Sequence, residues 1–193
     1  AVHCCGSFPS KATPIFDTHY NKRSSSLFES GSIALFHTQA SRDNREHRRR
    51  RQERRFDKRH PQRFDAVWSC HVLEHVDNPQ EMLRRMFHDL KDGGLLALTI
   101  PPAQHAVVGG HFTLWNTGLL LYHLARAGFD CREVRVKQYD YNLSVLLRKK
   151  AHGAELPSGA NYPVSQLAEW LPSSLAWDQA GSFNGNITNL NWG

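Results

Sequence analysis

Residues 64–102 read FDAVWSCHVLEHVDNPQEMLRRMFHDLKDGGLLALTIPP, and this stretch decides the fold. Asp65–Cys70 is a short apolar run with β-favouring Val67 and Trp68, which predicts a strand. His71–Asn78 is a polar connection carrying two histidines and two acids. Pro79 suits the first helical position, where a missing N–H costs nothing, and Asn78 before it suits a cap. Met82, Leu83, Met86, Phe87 and Leu90 recur at helical spacing, while Arg84, Arg85 and Asp89 fall elsewhere on the wheel. Gly93 fits the left-handed position that ends such a helix. Leu95–Ile100 is a continuous apolar run, as expected of a strand covered on both faces. Pro101 and Pro102 stop it, because neither donates to a ladder.

Strand, helix and strand make a βαβ unit, and hence a parallel sheet with helices on its faces. Ligands of such sheets sit outside the carboxyl ends of the strands. Here those ends are Ser69–His75 and Pro101–His105, where the polar side chains are densest.

Phe64-Asp65, Leu73-Glu74-His75-Val76, Pro79, Leu90-Lys91, Gly93-Gly94 and Pro101 agree in order and spacing with one pattern. The stretch resembles the fourth and fifth strands of class I S-adenosylmethionine-dependent methyltransferases. The resemblance implies an α/β, Rossmann-like sheet that ends in an antiparallel hairpin. It also implies S-adenosylmethionine as cofactor and methyl transfer to a small-molecule or glycan-like acceptor. By position, Ser69, Cys70 and His71 then border the cofactor, largely through main-chain groups. His71 becomes the candidate general base, since imidazole titrates near neutral pH; the alternative is a histidine that only lines the pocket. Glu74 and His75 match the family's LEH triplet and are expected to orient the loop. His105 and His111 fall on the loop after the second strand, on the acceptor side.

His71-x-x-Glu74-His75 also has the spacing of one zinc peptidase motif, but that motif works on a helix, where positions four apart share a face. Here it follows a strand and precedes a helix start. Some similar methyltransferases carry E-x-x-E-H at this place and bind a divalent metal. His71 replaces the first of those glutamates, although His105 or His111 could add a ligand. No metal is therefore expected.

The chain has 193 residues, enough for one domain with a substantial core. Its net charge of +6 is unevenly placed. Arg42–Arg63 holds 11 basic and 4 acidic residues, and the remainder is close to neutral. No run approaches the roughly 18 apolar residues of a membrane span. The four cysteines lack metal-ligand spacing. Cys70 and Cys131 fall in apolar segments and are expected to be reduced and buried, which makes the cytoplasm the default location.

Residues 1–63 are expected to be irregular, with a short strand over Ser32–Phe36. The Arg-rich run 42–63 has too few apolar residues to bury a helix face. It reads as a solvated segment, as an arm for nucleic acid or anionic lipid, or as sequence altered by truncation, frame error or deletion. The last reading arises because the resembled family carries a glycine-rich cofactor loop before the FD strand. No glycine lies between Gly31 and Gly93. The methyltransferase-like sheet is thus expected to be incomplete in its N-terminal half. The alternative function is a non-catalytic relative that binds nucleic acid or another anion through the Arg-rich run.

Residues 64–150 form the methyltransferase-like half. After Pro102 a loop leads to a helix capped by Thr113 or Asn116 and running to about Ala127. Its expected apolar face is Leu119, Leu120, His123, Leu124 and Ala127, and Gly128 ends it. Phe129–Tyr139 and Leu143–Arg148 then read as hairpin strands. Residues 151–193 are an appendage in which Pro163 starts a helix ending before Pro172. Trp170, Trp177, Phe183 and Trp192 are expected to pin this tail to the domain.

Overall fold

A computed structural model describes residues 12–14, 33–37, 64–150 and 163–192. The Arg-rich run, the Cys4-Cys5 pair and residues 151–162 lie outside the described residues. Seven strands form one sheet in the order β1-β2-β3-β4-β6-β5-β7. They are β1 (Ala12–Pro14), β2 (Ile33–His37), β3 (Phe64–Cys70), β4 (Leu90–Ile100), β5 (Arg135–Tyr139), β6 (Asn142–Arg148) and β7 (Asn189–Leu190). β1 to β4 are mutually parallel, and β5, β6 and β7 add antiparallel.

The βαβ unit forms as its sequence dictates. Helix α1 (Pro79–Asp89) starts at Pro79, and the Asn78 side chain accepts from Glu81 N at 3.1 Å. Met82, Leu83 and Met86 are buried beneath it. The helix ends earlier than its periodicity suggests, because Leu90 is already extended and pairs with Phe64. Gly93, at φ 78°, is therefore not a helix terminator. It lies where the β3–β4 register jumps between the Phe64–Leu90 and Ala66–Leu95 pairs. The extra residues fold back onto β6, with Gly93 N donating to Lys149 O and Lys149 N to Gly94 O.

Helix α2 (Thr117–Arg126) is capped by Asn116, whose side chain accepts from Leu119 N at 2.8 Å. Thr113 instead accepts from Trp115 Nε1. The buried face is Leu120, Leu121, Leu124 and Ala125, whereas Leu119 is exposed. Gly128, at φ 107°, ends the helix as expected. The following strand is shorter than its sequence suggests. Phe129–Val134 is a turn that buries Phe129, Cys131 and Val134 and exposes Arg132 and Glu133, with Cys131 N bonded to Trp170 O, and β5 begins only at Arg135. Asp140, at φ 47°, turns the β5–β6 hairpin.

The tail contributes a 3-10 helix at Val164–Trp170 that buries Leu167 and Trp170. Trp177 and Phe183 pack edge to face at 5.1 Å. β7 then covers the open edge of β5, pairing Leu190 with Val136. An unpaired edge is a site for unwanted association, and the tail closes it.

β1 to β4 follow one another across the sheet in chain order. The strand-order reversal that makes a ligand crevice in doubly wound sheets is not formed among these four. The order of these four described strands thus departs from the complete Rossmann-like plan.

Candidate active site

The site is built where β3 and β4 end. Ser69 pairs with Leu98 and Cys70 with Thr99. Both residues are buried, so their side chains are core and only the main chain beyond them reaches the edge. The next residue, His71, has φ 51°, a left-handed conformation that a side chain with a Cβ rarely adopts. The turn is held by its N–H, which donates to Thr99 O at 2.8 Å. Strain of this kind collects at functional positions.

The strained turn aims the His71 ring across the sheet end. Nδ1 lies 3.2 Å from Glu74 Oε1, and Nε2 lies 3.0 Å from Asn142 Oδ1 at the start of β6. Both ring nitrogens thus face oxygen acceptors, which favours the doubly protonated ring. Its pKa is raised, first by the Glu74 hydrogen bond. Burial works against this, and the Asn142 bond and the Glu74 charge add to the rise. Tyr141 stacks on the same ring, parallel within 6° at 6.2 Å. In its doubly protonated form His71 has no nitrogen lone pair to offer an acceptor proton, and it accepts one only when neutral.

Glu74 and His75 sit on a 3-10 turn, Leu73–His75. Glu74 is fully buried, and its Oε2 has no hydrogen-bond partner. The His75 ring turns the other way, with Nδ1 2.7 Å from Gly110 O. A carbonyl only accepts, so Nδ1 carries the proton. Phe112 N donates to Glu74 O at 2.7 Å. These two bonds fasten the 109–112 loop to the LEH turn and bring in His111. The His75 and His111 rings meet edge to face at 4.8 Å. Burial lowers the His111 pKa, and the neighbouring His75 lowers it further.

His71, Glu74, His75 and His111 are therefore gathered at one place. His105 is exposed on the same loop and does not join them. Asn142 and Tyr141 escaped the sequence reading. They lie on the far hairpin, and only the β4–β6 pairing brings them beside His71. Around the cluster the loop exposes Val107, Phe112 and Leu114, an apolar rim beside a polar centre.

S-adenosylmethionine fits this edge on one side. The left-handed turn at His71 presents the Cys70–Val72 main chain beyond the strand end, as a cofactor bound there would require.

Residues 28–96 match the family model described as a methyltransferase domain. No curated protein matches the chain in sequence. Among solved structures, it is similar to human N-acetylserotonin methyltransferase in complex with SAM. The identity is 19% over 50% of this chain and 32% of that one, at a TM-score of 0.42. It is similar to a SAM-dependent methyltransferase from Archaeoglobus fulgidus, at 13% identity over 61% of this chain and 76% of that one, TM-score 0.46. A third is the Haloferax volcanii complex of the Trm112 activator with a methyltransferase, at 12% identity over 65% of this chain and 74% of that one, TM-score 0.43. This chain spans under a third of the human enzyme's length. The stretch matched by the methyltransferase-domain model carries β3, the LEH turn, α1 and the first half of β4, and it is over this stretch that the chain is similar to a methyltransferase domain.

Proposed function

We propose that this chain transfers a methyl group from S-adenosylmethionine to a small-molecule or glycan-like acceptor at the edge formed by β3 and β4. The observation that carries this reading is the convergence of His71, Glu74, His75 and His111 at the strand ends of the methyltransferase stretch. A sulfonium is already an activated donor, so the protein's part is chiefly to align donor and acceptor. The clustered residues suit that task. The Cys70–Val72 backbone borders the donor. The loop tied down through Gly110 and Phe112 borders the acceptor. His71 is a positioning residue that clips the end of β3 to Asn142 of β6 and steadies Glu74.

The cytoplasm is the compartment we assign, supported by two buried cysteine thiols, Cys70 and Cys131. Burial pushes the Cys131 thiol well up, and the Asp130 charge adds to it, so this cysteine is inert packing. No helix among the described residues is long and apolar enough to cross a membrane.

The test is calorimetric titration of the purified, folded chain with S-adenosylmethionine and S-adenosylhomocysteine, followed by an acceptor screen with radiolabelled donor. Micromolar binding of both is the expected result. A folded chain that binds neither would overturn the reading. The absent glycine loop and the uninterrupted β1–β4 order support a second reading, a non-catalytic relative that binds nucleic acid or another anion through Arg42–Arg63. That reading predicts nucleic-acid affinity falling steeply with salt and abolished by neutralising Arg48–Arg51.

A further inference from the structure

We propose that the groove walled by Arg132, Arg135, Arg148 and Lys150 binds a small organic phosphate, an anionic head on an apolar body. The groove has a volume of about 710 Å3, within the roughly 300–1,000 Å3 of small-molecule sites. It lies at the opposite end of the sheet from His71. Leu95, on its floor, pairs at one end of the β4–β6 ladder, and Ile100, beside the methyltransferase edge, pairs at the other. Phosphate binding there stands or falls independently of methyl transfer.

The floor follows from strand register. Leu95 pairs with Arg148 across β4 and β6, and Leu146 pairs with Arg135 across β6 and β5. Cross-strand partners share a face, as do residues two apart on one strand. These four side chains therefore stand together on one face of the sheet. Leu96 and Val145 point the other way and are buried in the core. Leu95 and Leu146 keep part of their surface in water. Two half-covered leucines thus form an apolar base beside a cationic rim, and a ligand body laid on them removes that surface from water.

The four cations are unequally engaged. Arg132 grips Asp130 through Nε and Nη2, and Lys150 reaches Glu133 at 2.9 Å. Arg148 donates from Nη1 to Gly93 O at 3.0 Å, which holds its guanidinium in place and leaves its other donors available. Arg135 is exposed and has no hydrogen-bond or ion-pair partner among the described residues. Arg135 and Arg148 occupy diagonal positions on neighbouring strands, about 7–8 Å apart. Two long side chains at that separation can close on one anionic head from both sides.

The two carboxylates do not cancel this charge. Asp130 is buried behind the arginine that neutralises it. Glu133 is 78% exposed, so it releases Lys150 to an incoming anion without leaving a buried charge. Donor number favours phosphate over carboxylate. A phosphate monoester presents three acceptor oxygens and nearly two charges, against two oxygens and one charge for a carboxylate.

The experiment uses the full chain and 1-naphthyl phosphate as the probe, titrated by calorimetry. 1-Naphthol and inorganic phosphate serve as its two halves. One site per chain is the expected result, with the ester bound more tightly than either half and displaced by excess inorganic phosphate. Arg135→Gln, at an exposed strand position, should weaken binding about tenfold or more, the loss expected for one charged hydrogen bond. Its far-ultraviolet spectrum should match the parent's. Arg148→Gln should weaken binding similarly. Neutralising Arg48–Arg51 should leave binding unaltered, which separates the groove from the Arg-rich run. The proposal is overturned by a folded chain that does not bind the ester or by 1-naphthol binding as tightly as its phosphate. It is equally overturned by Arg135→Gln binding as tightly as the parent, or by loss of binding when Arg48–Arg51 are neutralised.

Discussion

His71 and Asn142 stand 71 positions apart in sequence, yet His71 Nε2 and Asn142 Oδ1 meet at 3.0 Å across the ends of β3 and β6. The contact joins the parallel half of the sheet to its antiparallel hairpin at the functional edge. Asn142 is buried and His71 partly so, and the bond is worth about 1.5–3 kcal/mol if the ring is charged.

Asn142→Ala should therefore lower the His71 pKa and Asn142→Asp should raise it, read by NMR titration of the ring protons. Under the proposed function, Asn142→Ala should reduce methyl transfer while leaving the far-ultraviolet spectrum of the fold unaltered. An Asn142→Ala variant with the parent His71 pKa would show that the contact does not hold the ring in solution.

Glu74→Gln tests the centre of the cluster. The substitution keeps the shape and removes the charge. The His71 pKa should fall, because the Glu74 hydrogen bond is the largest influence raising it. The amide leaves a buried donor in place of a buried acceptor, so stability should drop by roughly 1–3 kcal/mol. Over a chain of this size that is a fall in Tm of about 2–4 °C per kcal/mol, measured by calorimetry.

Much of this was legible in residues 64–102. Asn78-Pro79 at a helix start, apolar residues at helical spacing and an apolar run stopped by two prolines are local signals, and local chemistry decides them. The misreadings came where tertiary contacts decide. Gly93 has the left-handed conformation its sequence suggests, yet Leu90 leaves the helix early because it pairs with Phe64. Leu119 sits at helical spacing with Leu120 and Leu124 but is exposed, since the helix turns its Leu120, Leu121, Leu124 and Ala125 side inward. In the site, His71, Glu74, His75 and His111 announced themselves as polar residues at strand ends. Asn142 did not, because an asparagine before a strand reads as a turn residue.

The tail is locked by a close backbone approach. Gly118 N donates to Gly185 O at 3.0 Å, and a Cβ added at Gly118 would stand 2.5 Å from Gly185 Cα. Backbone cannot yield as a side-chain end can. Gly118→Ala should destabilise the protein by about 1–3 kcal/mol and expose the segment after Pro172 to proteolysis, followed by mass spectrometry. Resistance equal to the parent would show that the tail docks by other means.

Asp130 gives the acid dependence of stability its sign. It is buried beside Arg132, which grips both carboxylate oxygens at 2.6–3.1 Å. Burial alone would raise its pKa. The Arg132 side-chain and backbone hydrogen bonds, its charge and that of Lys150 together outweigh burial, so the pKa is lowered. A carboxylate depressed in the folded state adds stability that is complete above its unfolded pKa, near 4, and is lost as pH falls through the folded value. Arg132→Gln removes the charge that depresses it. The variant should therefore lose its Tm at a higher pH than the parent in an acid titration followed by circular dichroism, and the two curves should converge at pH low enough to protonate Asp130 in both. Parallel curves with a constant offset would mean that Arg132 acts through packing alone.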